Sequence, residues 1–142
     1  MKIAYSLLIG LLVIISCKQQ QNTPKKFDAE LTSQLYSQLI ANFKSAIGFK
    51  ESHLTELLTD ISIPELKQGK SVEKKMLFEN FQCECYDQMK LSYSNTDNRF
   101  ILHVYEEFFN KKLDWCPESS STYSFEILEN KISGLKLDFS AD

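Results

Sequence analysis

The chain carries its thiols at Cys17, Cys83, Cys85 and Cys116. Cys83 and Cys85 stand two apart in a stretch that alternates apolar and polar, so both point to one face of a strand. A bond between them is strained, because their Cα atoms sit near the upper distance limit in extended chain. The chain then turns back. With the turn centred near Thr96, Cys85 falls near Phe108 and Cys83 near Asn110, and Cys116 follows a few residues later. These positions predict a disulfide from Cys116 to Cys85, or from Cys116 to Cys83, with Cys85 preferred. The remaining cysteine is then a buried thiol. A zinc set of Cys83, Cys85, Cys116 and His103 has suitable ligand types. Its Cys-x-Cys spacing and the mid-strand place of His103 argue against it, so neither metal nor cofactor is expected. The motif is not Cys-x-x-Cys, which sets a redox pair aside.

The carboxylates come next. Hairpin register follows from matching the apolar faces. The best match sets Leu91 near Leu102, Met89 near Val104 and Asp87 opposite Glu106. Facing carboxylates destabilise a sheet, and burial raises the pKa of at least one. Acid/base sites and ion sites share that pattern, but structural networks produce it as readily. A slip of one residue instead sets Asp87 against Tyr105 and near His103. Asp87, His103, Tyr105 and Glu106 are therefore the candidate polar site. His103 is more simply a hydrogen-bonded sheet histidine, and His53 a solvent-exposed residue at a helix start. No Gly-x-Ser-x-Gly, His-Glu-x-x-His, phosphate loop or calcium loop accompanies them, so no catalytic residue is assigned. Trp115-Cys116-Pro117 reads as a corner whose tryptophan either covers the disulfide or anchors an interface. Tyr86, Tyr105 and Phe109 fall on the other sheet face and would line a binding surface if helices leave it bare.

These groups need elements to hold them. Phe27, Leu31, Leu35, Leu39, Phe43 and Ile47 recur every four residues and predict a helix, with Asp28 as N-cap. Gly48 is placed as its C-cap, with Phe49 folding back on Phe43. Leu54, Leu57, Leu58 and Ile61 predict a second helix capped by Ser52 and ended by Pro64. Lys67 to Lys70 reads as a turn, and Ser71 to Asn80 as a strand rather than a helix. From Phe81 to Tyr93 the period is two, the mark of a half-buried strand. Ser94 to Asn98 is a polar turn. Arg99 to Phe109 is apolar on both faces, which predicts a central strand. Tyr123, Phe125 and Ile127 alternate, Asn130-Lys131 turns, and Leu135, Leu137 and Phe139 make the last strand. The fold class expected is α+β: two N-terminal helices packed on a four- to five-stranded antiparallel meander.

Residues 1–16 have a different character. Lys2 precedes a nearly unbroken apolar run from Ile3 to Ser16, too short to span a bilayer. Ile14-Ile15-Ser16-Cys17 closes it. This segment resembles a bacterial lipoprotein signal, with Cys17 as the lipidated residue. The resemblance implies cleavage before Cys17, acyl chains such as palmitate on it, and a cell-envelope location. Lys18 in place of Asp favours the outer membrane. Several chains anchor stably where one does not. Export also permits disulfides. Residues 17–26 then form a polar tether with Pro24, and residues 27–142 a single domain. No family is assigned to that domain.

Composition bounds the rest. Hydrophobic residues make up 43% of the 142-residue chain, enough for a core after the signal is removed. The net charge of −3 and the lack of a basic patch exclude nucleic acid as a partner. The sequence therefore predicts a lipid-anchored envelope protein whose domain binds a protein or a small apolar ligand and catalyses nothing. An alternative is an immunity- or inhibitor-type protein that occupies a partner's active site. A further alternative is a small hydrolase-like enzyme using Asp87, Glu106 and His103.

Overall fold

The computed structural model describes residues 25–43, 50–77 and 84–141. Among the described residues three helices, α1 (Ala29–Asn42), α2 (Glu51–Thr59) and α3 (Ile63–Lys67), precede five strands. These are β1 (Val72–Leu77), β2 (Tyr86–Ser94), β3 (Arg99–Glu107), β4 (Glu118–Leu128) and β5 (Lys131–Ala141). The sheet is open and antiparallel, with strands side by side in chain order. The α+β class is thus observed, with β3 central as its two apolar faces predict.

The helices share one face of the sheet. Leu31, Leu35 and Leu39 of α1, Leu54, Leu57 and Leu58 of α2, and Ile63 and Leu66 of α3 are buried against it. The sheet supplies Met89, Leu91, Leu102, Val104, Tyr123 and Phe125. Burying side chains of this size stabilises by about 1.5–3 kcal/mol each. An aromatic cluster closes one end, with Phe27 set edge-on to Phe100 and Phe125 at 5.7 and 6.4 Å. Such pairs add roughly 0.5–1.5 kcal/mol beyond area.

Local chemistry fixes the helix ends. The Asp28 carboxylate accepts from the Leu31 N–H at 2.8 Å, as predicted for the N-cap. α1 stops at Asn42, before Ile47, because Phe43 turns extended at φ −132°. That turn sets the Phe43 ring 5.2 Å from Tyr123. The predicted cap at Gly48 and the Phe49 contact lie outside the described residues. α2 begins one residue ahead of the predicted cap Ser52, with Lys50 at the N-cap. Pro64 does not follow a helix but opens one. The Ser62 hydroxyl and the Glu65 carboxylate cap α3 reciprocally, and proline suits a first turn, where its missing N–H costs nothing.

The strand register is the predicted one: Leu91 faces Leu102, Met89 faces Val104 and Asp87 faces Glu106. β4 starts earlier than its apolar residues indicate, and β5 runs with bulges against it. The turn between them is Glu129-Asn130, both at positive φ (49° and 62°). It sits one residue before the predicted position, because both residues of such a two-residue turn need left-handed backbone. Helix α1 guards the outer edge of β5. The Gln34 side-chain carbonyl accepts from the Ile132 N–H at 3.0 Å, and the Gln38 amide donates to the Ile132 carbonyl at 3.2 Å. An edge left bare is a template for pairing with other chains.

Candidate functional site

The end of the sheet farthest from Phe27 gathers the chain's reactive groups. Cys85 and Cys116 form a disulfide, with Cα atoms 6.0 Å apart. This is the preferred pairing of the two that the sequence allowed; Cys83 lies outside the described residues. The bond closes a separation of 31 residues, worth about 3.5 kcal/mol in the chain-entropy model. The Glu107 carboxylate lies near both sulfurs, so the three donors are close enough to share a metal ion. The two thiols, however, are spent on each other.

Asp87 sits two residues from Cys85, on the core face, directly opposite Glu106. It is buried, and Met76 of β1 faces it from the other side. Burial is the main reason the Asp87 carboxyl rises to about 6, opposed by the Glu107 N–H and aided by the Glu107 charge. Burial also lifts Glu106 to about 7, with the Asp87 charge beside it as second cause. The two therefore titrate together.

The other half of the predicted polar site points away. Residues alternate across a strand, so His103 and Tyr105 occupy the outer face while Glu106 faces the core. His103 stands opposite Lys90 and Thr122, with Nδ1 3.0 Å from the Thr122 hydroxyl. An acid/base trio of Asp87, Glu106 and His103 is not brought together. The hydrogen-bonded sheet histidine is what the fold holds.

The outer face assembles its own cluster. The Tyr105 hydroxyl lies 2.7 Å from Glu107 Oε1 and 2.6 Å from Glu118 Oε2. It has one proton, which it donates to one carboxylate at a time. The hydrogen bond to Glu118, followed by burial and the bond to Glu107, pushes the phenol well above its ordinary range. Glu107 Oε2 also accepts from the Tyr86 N–H at 3.1 Å. The Tyr86 and Tyr105 rings lie 5.3 Å apart, and the Lys75 ammonium stands 3.7 Å over the Tyr86 ring, a cation–π contact. Beside them Tyr105, Glu118, Ser119, Ser120 and Ala141 line a depression of about 160 Å³. Among the described residues no helix covers this face.

Glu107 and Glu118 were not singled out by the sequence, although the period-two pattern puts Glu107 on the same face as Tyr105. Glu118 had no such signal, because β4 begins in a run of serines with no apolar alternation. Comparison with protein-family models, with curated proteins and with solved structures finds no match to this chain.

Proposed function

We propose that this is a lipid-anchored protein of the cell envelope, held to the outer membrane through Cys17, whose domain binds a partner and performs no catalysis. One observation carries the binding half of this reading. The outer sheet face is bare and carries Lys75, Tyr86, His103, Tyr105, Glu107 and Glu118 within hydrogen-bonding or ring-contact networks of its own. Tyrosines fixed by neighbours lose little entropy on binding and serve well as interface anchors. The charged and phenolic groups of this face, set beside the exposed Leu77 and Phe139, favour a protein surface over a small apolar ligand. The anchoring half rests on Ile14-Ile15-Ser16-Cys17.

A second reading is favoured by the two carboxylates that meet at the Tyr105 hydroxyl. An acidic, rigid patch suits an immunity- or inhibitor-type protein that seats in a basic active site.

Purification of the acylated protein from envelope extract tests both. A stoichiometric protein partner that is lost on Tyr86→Ala or Glu118→Ala, with the fold intact, supports the reading. Turnover in a hydrolase screen that disappears with Asp87→Asn overturns it.

A further inference from the structure

The hairpin between β3 and β4 ends in a hydrogen-bonded tip that exposes three large apolar side chains. The Asn110 N–H donates to the Trp115 carbonyl at 2.9 Å, and the Asn110 carbonyl accepts from the Leu113 and Asp114 N–H groups at 3.1 and 2.9 Å. The Asn110 side chain accepts from the Lys112 and Leu113 N–H groups. The Phe108 N–H donates to the Pro117 carbonyl at 3.1 Å, and the disulfide ties Cys116 to β2. On this frame Phe108, Leu113 and Trp115 are 55%, 56% and 51% exposed. Leu77, which ends β1 at the same end of the sheet, is also exposed. Lys111 and Lys112 flank them, both exposed.

We infer that this tip, Phe108 to Trp115, is a membrane-contact element that inserts Leu113 and Trp115 among lipids while Lys111 and Lys112 meet anionic headgroups. A tryptophan favours the interface because its ring is apolar and its N–H seeks a partner. Lysines beside apolar side chains place their stems along the acyl boundary and their charges at the headgroups. Each lysine near an anionic surface strengthens binding by roughly five-fold. The pair sets two positive charges against the single exposed carboxylate of Asp114, which lies between Leu113 and Trp115.

The orientation this gives rests on the lipid anchor; the contact itself does not. Lys25 enters the domain beside Ser62, since its carbonyl accepts from the Ile63 N–H. Phe27 then packs on Phe100, at the opposite end of β3 from the tip. The nine residues of β3 span about 27 Å. The eight steps from Cys17 to Lys25 reach about 28 Å at full extension. A domain held at one end by acyl chains and touching lipid at the other lies along the bilayer.

Trp115 is the chain's single tryptophan, so its emission reports the tip alone. The full-length chain is reconstituted into vesicles of phosphatidylethanolamine and phosphatidylglycerol with brominated acyl chains. The expected result is a blue shift and quenching of Trp115, both weaker in phosphatidylcholine vesicles. Lys111→Ala with Lys112→Ala lowers the quenched fraction by about 25-fold in affinity at low salt. Leu113→Asp abolishes quenching while circular dichroism and the Cys85–Cys116 mass signature stay unchanged. Cys17→Ser leaves quenching in place, and fatty-acid labelling reads the anchor separately. Emission that stays put in every vesicle overturns the proposal. So does a blue shift that appears without lipid and grows with protein concentration, which would assign the tip to a second copy of the chain.

Discussion

Asp87 and Glu106 face each other across β2 and β3 on the core side of the sheet, and burial raises both carboxyls, to about 6 and about 7. An acid whose pKa is higher folded than unfolded binds more protons in the folded state between the two values. Stability from this pair is therefore full below about pH 4, the usual unfolded value, and falls as pH rises through 6 to 7. Asp87→Asn or Glu106→Gln should stabilise the domain at pH 7.5 by about 1–2 kcal/mol, discounted for the water that reaches the pair. Either should also flatten the slope between pH 4 and 7. Denaturant midpoints measured across that range check this. A stability gain of the variants over the wild type that does not grow with pH across that range contradicts it.

The disulfide is expected to be specific. Cys83→Ser should leave the Cys85–Cys116 link intact, with neither of the two remaining domain cysteines alkylated under non-reducing conditions, as read by mass spectrometry. Cys116→Ser should cost about 2–5 kcal/mol, as should reduction of the wild type.

Gly134 stands at φ +59°, with the Arg99 guanidinium 3.5 Å from where a Cβ would sit. That guanidinium donates to the Gly134 carbonyl, to the Ser124 hydroxyl and carbonyl at 3.1 Å each, and to Glu126 at 2.7 Å. It thus cross-links β3, β4 and β5. Gly134→Ala should cost about 1–2 kcal/mol for the left-handed backbone, read as a lowered thermal midpoint. Arg99→Met should destabilise by a similar order, because it strips the Gly134 and Ser124 carbonyls of a charged donor.

Lipidation has its own test. Cys17→Ser should abolish incorporation of a fatty-acid probe and leave unprocessed precursor. A probe that still marks the variant refutes the anchor.

Register was legible because both strands of the hairpin carry an apolar core face: Met89 and Leu91 meet Val104 and Leu102 in the alignment that also delivers Cys85 to Cys116. The same parity separates His103 from Glu106, once the slipped register is set aside. Apolar periodicity does not disclose α3, although Ser62-Ile63-Pro64-Glu65 spells a capping box; by sequence Pro64 reads as a stop, and its place at a first turn makes it a start. The early part of β4 escaped because Ser119 to Thr122 carry no apolar rhythm, their strand state being imposed by β3. The helix end at Asn42 depends on where Tyr123 lies, and no local pattern encodes that distance. Gln34, Gln38 and Arg99 act through backbone carbonyls and N–H groups far along the chain, which side-chain periodicity cannot reveal.

The hydrogen bonds that join Ile132 to Gln34 and Gln38 span 98 and 94 residues, whereas every strand pairs with its neighbour in sequence. The hairpins can form one after another as the chain emerges, each closing a short loop. Helix α1, first to appear, finds its partner last. The domain is thus assembled from the middle and sealed by its two ends, and a chain shortened before Lys131 would leave the first helix without its backbone partners and β4 as a raw edge.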